Sequence, residues 1–210
     1  MIGVNDHPER APRTTTIADA TEHWFIADER IGGAQSDSYS IYTRSGVIFV
    51  DPLPLTYAAA DRFPAVSFAL LTRGCHQRAS WRYRFEHGAR IVAPRGSWNL
   101  LSEPDRHYVE STALPADFKA IRTPGPEWDH YSLYRPGEPS ILFSGDLVTR
   151  RDSSSPLQLS EDSARLRSGI SRDSLASLLD LEFDLLCMSH GGYIDDDPKG
   201  ALVELYERTA

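Results

Sequence analysis

Three apolar runs open the chain. His23 to Ala27 is short and aromatic, Ser38 to Thr43 alternates Tyr39 and Ile41 with Ser40 and Tyr42, and Val47 to Val50 is continuously β-branched or aromatic. Alternation with period two and β-branched density are strand signals, and Ser45-Gly46 between the last two runs is a hairpin signal. The third run reads Gly46-Val-Ile-Phe-Val-Asp51 and then meets Pro52 and Pro54. Proline cannot donate to a ladder, so the strand stops there.

The pattern then alternates. Phe68 to Leu71 predicts a buried strand, Ala79 to His87 a helix stopped by Gly88, and Ile91 to Ala93 a short strand. Residues 94–116 are rich in Pro, Ser and acidic residues and predict a short helix at best. Short strands are expected over Asp117–Arg122, Tyr131–Tyr134 and Ser140–Phe143, parted by Pro/Gly turns. Arg150 to Ser160, with three consecutive serines, reads as a loop able to act as a lid. Leu166, Ile170, Leu175, Leu178 and Leu179 recur with helical period across Asp162 to Leu181. Phe183 to Met188 is an apolar strand, and Pro198 opens a final helix reaching Glu207. Residues 1–18 read as a loose arm and 19–210 as one domain. Two sheets covered on the outside by helices are the simplest layered solution.

Bulk properties narrow the function classes. With 210 residues, 40% hydrophobic and 25% charged, the chain suits a single globular domain. A formal charge of −8 argues against non-specific nucleic-acid binding. No apolar run approaches the roughly 20 residues of a membrane span. The polar start, with Pro8 and Pro12, lacks a secretory h-region, so a cytoplasmic address is expected. The two cysteines, Cys75 and Cys187, are expected as free thiols in such a compartment, with Cys187 in the core. Trp81, Tyr83, Phe85 and Trp98 are expected as packing residues.

Five landmarks in order resemble the metallo-β-lactamase superfamily, the glyoxalase II-like hydrolases. The hairpin ending at Asp51 is similar to the family's opening hairpin. Thr72-Arg73-Gly74-Cys75-His76-Gln77-Arg78 sits where the family writes Thr-His-x-His-x-Asp-His. Thr123-Pro124-Gly125-Pro126 sits at its Thr-Pro-Gly-His, Gly145-Asp146 at its Gly-Asp, and Ser189-His190-Gly191 at its last ligand histidine. The resemblance implies an α/β (α+β) fold, a four-layer αββα sandwich of two mixed sheets flanked by helices. It also implies hydrolysis at a two-zinc centre.

Laid on this chain, most of the implied ligand positions have changed. Arg73, Cys75, Gln77, Arg78 and Pro126 stand where ligands are expected, and only Asp146 and His190 remain. Arginine donates only and cannot ligate a metal. The expectation is therefore an atypical hydrolase-like protein without the usual two-zinc site, acting on a small anionic or acyl substrate. His190, Asp146 and Cys75 are its candidate catalytic residues. Arg73, His76, Arg78, Glu127 and Trp128 are its candidate substrate-binding residues, with Trp128 at the pocket rim.

Three chemistries stay open. The arginines can replace metal charge and bind a carboxylate or phosphate, with Asp146, Glu127 or Asp129 as their partners. A single zinc can be rebuilt on Cys75, Asp146 and His190, with His76, Asp129 and His130 in the two ligand-bearing loops, out of register, as further donors. Metal-free chemistry can use His190 as a base, as in a lyase or isomerase, or Cys75 as a nucleophile whose pKa the arginines lower. In an extended segment successive residues point opposite ways, so Cys75 and His76 are not both expected to face inward. A non-catalytic ligand-binding protein whose cleft is closed by an Arg–Asp network is the rival from another class. Partners are expected to be small molecules, with neither nucleic acid nor membrane, and a homodimer is left open.

Overall fold

The computed structural model describes residues 13–27, 35–98, 100–163 and 166–209. A seven-stranded sheet runs in chain order from β1 (Arg13–Ala18), β2 (Thr21–Ala27), β3 (Gln35–Thr43) and β4 (Gly46–Val50) to β5 (Val66–Leu70), β6 (Arg90–Pro94) and β7 (Arg106–Tyr108). Its first four strands are antiparallel neighbours, and β4 to β7 are parallel. The second sheet contains β8 (Lys119–Arg122), β9 (Tyr131–Arg135), β10 (Ile141–Gly145), β13 (Leu185–Met188) and β14 (Tyr193–Ile194), in the order β14-β13-β10-β9-β8. Only its β10–β13 pair is parallel. A short ribbon pairs β11 (Val148–Thr149) with β12 (Gln158–Leu159). The helices are α1 (Tyr57–Ala60), α2 (Ser80–His87), α3 (Ile170–Leu178) and α4 (Pro198–Arg208).

Strand alternation builds the layers. Ile48 and Val50 of β4 join Ile141 and Phe143 of β10 and Leu185 and Cys187 of β13 in a core between the two sheets. Their chain neighbours face the other way. Val47 and Phe49 pack with Trp24, Phe63 and Tyr83 on the α1–α2 side, and Leu142, Leu186 and Met188 pack with Leu175, Leu178, Leu202 and Leu205 of α3 and α4. Both faces of the central strands are apolar because both are covered. The result is an αββα sandwich.

Several expectations are corrected. Arg13–Ala18, placed in the loose arm, is edge strand β1, and residues 1–12 of that arm lie outside the described residues. The predicted helix over 162–181 shrinks to Ile170–Leu178. Gly169 is left-handed just before it (φ 83°), and Asp162 turns back to accept from the amides of Gly169 and Ser171. A strand, β7, lies in the 94–116 segment, where a short helix at best was expected. The 150–160 segment is not a free lid. Gln158–Leu159 pairs with β11, and the Ser160 hydroxyl donates to the Asp146 carbonyl. Of the four aromatics expected to pack, only Tyr83 is buried; Trp81 is exposed, as are Phe85, at 88%, and Trp98. Cys75 and Cys187 are both free, and Cys187 is in the core. Among the described residues, no helix is long and apolar enough to cross a membrane.

Candidate functional site

The loops that follow the carboxyl ends of β4, β5, β10 and β13 meet at one edge of the sandwich, the usual place for sites in sheets with parallel strands. They deliver Asp51, Thr72 to Arg78, Asp146, and Ser189 with His190. Backbone bonds across the seam lock them together. Tyr131 N donates to Thr72 O at 2.9 Å, Asp37 N to Ser189 O at 3.0 Å, and Ser189 N to Gly145 O at 3.0 Å.

Asp146 is the hub. Its Oδ2 lies 2.8 Å from Arg73 Nη1 and 3.1 Å from His76 Nε2, and its Oδ1 lies 3.5 Å from His190 Nε2. Oδ1 is shielded from solvent and accepts no hydrogen bond. Burial works against a charged Asp146, but His76, His190 and Arg73 outweigh it and hold the carboxyl well below its usual range.

Beneath His76 lies Asp51, in a left-handed conformation (φ 48°) at the strand end. Its carboxylate accepts from Thr72 N (2.8 Å), Thr72 Oγ1 (2.6 Å) and Ser189 Oγ (2.9 Å), and it faces His76 Nδ1 at 2.9 Å. Burial again opposes charge, while Asp146 and Asp51 raise the His76 pKa. His190 behaves differently. Burial lowers its pKa, with Arg78 and His76 adding to the effect against the pull of Asp146. Its Nδ1 lies 3.0 Å from Gln35 O, a group that only accepts, so Nδ1 carries the hydrogen.

His130 supports the hub from behind. Its Nε2 accepts from Asp146 N at 3.0 Å, and its Nδ1 lies 2.8 Å from Thr123 O. Complete burial pushes its pKa down to about 4, so the ring is neutral. Gly145 allows this approach. It is left-handed (φ 60°), and a Cβ there would run into the His130 ring.

The segment Gly74–Gln77 is a single 3₁₀ turn, and this overturns the expectation that Cys75 and His76 face opposite ways. In a tight turn successive side chains are about 120° apart. The sulfur of Cys75, a His76 ring nitrogen and an Asp146 oxygen all lie within 4.8 Å of one another. The next residue, Gln77, turns away and braces the 101–102 backbone. Although Cys75 is exposed, desolvation of its thiol, with Asp146 and Asp51, outweighs Arg73 and Arg78 and raises it to about 11. The arginines therefore do not make it a thiolate, contrary to expectation.

The remaining expected residues sit as follows. Arg78 does not face Asp146. Its guanidinium donates to Asp37 O (2.6 Å), Asp51 O (2.9 Å) and Ser189 O (3.5 Å), tying together the loops that carry Asp51 and His190. Glu127 is 4.0 Å from Arg73. Asp129 takes Gly74 N (3.1 Å) and Ser97 Oγ (2.8 Å) instead of an arginine. Trp128 is 61% exposed and stacks on Arg122. Leu101, 83% exposed, donates its amide to Gln77 of the Gly74–Gln77 turn, and Trp98, 63% exposed, follows Ser97, which shares the Asp129 carboxylate with Gly74. Sequence reasoning missed Leu101, Asp37, Thr72 and Ser189 as parts of this arrangement. It offered His130 as a metal donor, whereas the ring braces the Asp146 amide from behind. Two cavities of about 510 and 560 Å³ lie elsewhere, beside Leu157–Glu161 and beside Arg90 and Arg106.

Several solved structures share this architecture at low sequence identity. A metallo-β-lactamase from Pontibacter korlensis is 16% identical, with a TM-score of 0.73 over 93% of this chain and 99% of that one. The chain has the metallo-β-lactamase fold. FIM-1 from Pseudomonas aeruginosa, in its mono-zinc form, is also 16% identical, with a TM-score of 0.69 over 96% and 97%. An archaeal metallo-β-lactamase superfamily protein from Sulfolobus tokodaii is 12% identical, with a TM-score of 0.59 over 83% and 80%. No family model matches the sequence, and no curated protein is significantly similar to it.

Proposed function

We propose that this metallo-β-lactamase-fold protein is an atypical hydrolase-like enzyme that works at the Asp146 cluster without the fold's paired zinc ions. One observation carries the reading. Arg73 lies 2.8 Å from Asp146 Oδ2, so a fixed protein cation covers one oxygen of the carboxylate that the resemblance assigns as a bridge between two metals. With one oxygen paired to guanidinium and a fixed positive charge beside it, the carboxylate is a poor bridge for two further cations. The other expected ligand positions agree with this. Arg78 is spent on backbone carbonyls, Gln77 braces a loop, and Pro126 offers no side-chain donor.

The cluster suits proton transfer beside an anion. His190 is part-exposed, its tautomer is fixed by Gln35, and its unprotonated Nε2 lies beside Asp146, which fits a general base. Arg73, and His76 with its pKa raised by Asp146 and Asp51, favour a carboxylate, phosphate or developing oxyanion. The exposed Trp98, Leu101 and Trp128 around the Gly74–Gln77 turn suit an apolar acyl part.

The test is turnover on a panel of acyl thioesters, carboxylic esters and phosphoesters, with wild type and with the Asp146→Asn and His190→Ala variants. Loss of roughly 100-fold or more in kcat in both folded variants is expected on the substrate turned over. Unchanged turnover in both would overturn the reading. A second reading, a non-catalytic ligand-binding protein, is favoured by the direct Arg73–Asp146 contact, which closes part of the cleft. It predicts anion binding, seen as a thermal shift lost in Arg73→Met, with no turnover on any panel member.

A further inference from the structure

A cavity of about 560 Å³ opens beside the first residues of β6 and β7, away from the strand ends that carry the Asp146 cluster, and shares no lining residue with that cluster. Phe68, Val92, Leu114 and Pro115 give it an apolar floor. Val92 and Leu114 belong to the core between the two sheets, and Phe68 packs against that core. A concave apolar surface of this size is within the range of small-molecule sites.

Strand register brings two arginines to the same place. Arg90 and Val92 are two apart on β6 and so share a face. Phe68 is paired with Arg90 across β5 and β6, and Val92 with Arg106 across β6 and β7. The sheet face that elsewhere carries the inter-sheet core thus presents two guanidiniums here. Both side chains are exposed, and each leaves most of its donor fork free. Among the described residues, Arg90 makes no hydrogen bond or ion pair, and its one close contact is the Phe68 ring at 5.9 Å. Arg106 gives a single bond, from Nη1 to Ala113 O at 3.1 Å. Asp105, the carboxylate in the lining, is already held by Arg84 and by Ile91 N.

We infer that this cavity is a binding site, separate from the Asp146 cluster, for a small amphiphile carrying one carboxylate. Its head lies between Arg90 and Arg106, and its apolar part lies on Phe68, Val92, Leu114 and Pro115. Two guanidiniums match a carboxylate in shape and charge. One of them is partly spent on Ala113 O, and Asp105 stands beside them, so a single negative charge suits the site better than a phosphate dianion. The floor adds affinity in proportion to the hydrocarbon it covers. The inference stands apart from the proposed function, because it needs neither Asp146 nor His190.

The experiment is titration of untagged full-length protein with sodium octanoate, followed by calorimetry and by NMR of the Val92 and Leu114 methyl groups. Octanamide, acetate and octyl phosphate are titrated beside it. Saturable shifts of those methyls with octanoate are expected, while octanamide and acetate, each lacking either the charge or the apolar body, bind roughly 10-fold or more weakly. Arg90→Met and Arg106→Met should each weaken octanoate roughly 10-fold. Ala113 is an exposed part of the lining, so Ala113→Trp fills the cavity without disturbing the core and should block binding. Arg73→Met, which silences anion binding at the Asp146 cluster, should leave the methyl shifts as they are. Octanoate that shifts neither methyl would overturn the inference, as would octanamide binding equally well or octyl phosphate binding more tightly. Binding lost in Arg73→Met but kept in Arg90→Met would move the ligand to the Asp146 cluster and overturn it too. Methyl shifts that appear only with self-association, followed by sedimentation, would make the cavity a contact between copies of the chain and equally reject it.

Discussion

The Asp51 carboxylate and the His76 imidazole meet 2.9 Å apart, although neither is accessible to bulk water and 25 residues separate them in the chain. The same Asp51 oxygen, Oδ2, also takes the hydroxyls of Thr72 and Ser189. Replacing Asp51 with Asn removes the charge and turns an amide N–H₂ toward donors. Asp51→Asn should therefore lower unfolding stability by about 2–4 kcal/mol, from unpaired buried donors and a broken ion pair. Urea denaturation measures it, and a loss below about 0.5 kcal/mol would mean that the network does not hold the fold.

His130 sets a pH window. Its folded pKa, about 4, lies below the ordinary value of about 6.5, so the unfolded chain takes up a proton that the fold refuses. Its contribution is full above pH 6.5 and is lost as pH falls towards 4, amounting to roughly 3 kcal/mol. His76 runs the other way. Its raised pKa contributes fully below the unfolded value and fades as pH rises through the folded one. The acid limb should therefore be less steep between pH 6.5 and 4 in His130→Gln than in wild type. Equal slopes would remove His130 from the account.

Gly145 is constrained twice, by its left-handed backbone and by the His130 ring and Thr72 Cβ beside it. Gly145→Ala should cost roughly 2–4 kcal/mol by adding backbone strain to overpacking. It should also displace the Asp146 amide, which would appear in an NMR spectrum as a shifted His130 ring resonance. A wild-type melting temperature would contradict this.

Arg78 spans three carbonyls with one planar fork, a geometry lysine lacks. Arg78→Lys should destabilise by about 1–3 kcal/mol and speed amide exchange at Gly191 and Gly192, whose N–H groups bond Asp37. Exchange unchanged at those two glycines would mean that the arginine does not brace the His190 loop.

On α2, neighbouring aromatics should separate cleanly. Tyr83 lies fully buried, donating to Leu53 O at 2.6 Å and accepting from Leu55 N at 3.0 Å, so Tyr83→Phe should cost about 1–3 kcal/mol. Phe85 is exposed, and Phe85→Ser should change stability by less than about 0.5 kcal/mol.

The central strands were legible in the sequence because both their faces are buried. Val47 to Val50 and Leu185 to Met188 are unbroken apolar runs for that reason. Edge strands β1 and β7 were not legible. Arg13–Ala18 is mostly polar, and Arg106–Tyr108 buries only Tyr108. The helical period across 162–181 misled because periodicity is blind to Gly169 adopting a left-handed turn. At the site, motif order was enough to bring Asp146, His190 and Arg73 together. The facing of His76 depended on whether residues 74–77 are extended or coiled, and Gly74-Cys75-His76-Gln77 carries no strong signal for either. The support from Asp51, Ser189 and His130 is tertiary, and local pattern does not register it.

The bond from Ser189 to Asp51 spans 138 residues. Closing a loop of that length carries an entropic cost that local contacts do not. When the first sheet has folded, Asp51 and Thr72 are in position, but the carboxylate still lacks its last hydroxyl donor. That donor arrives only with the penultimate strand of the second sheet. The Asp146 cluster is thus a clasp on the finished sandwich: whatever binds there can recognise only a completed fold, and in binding it would hold the two halves together.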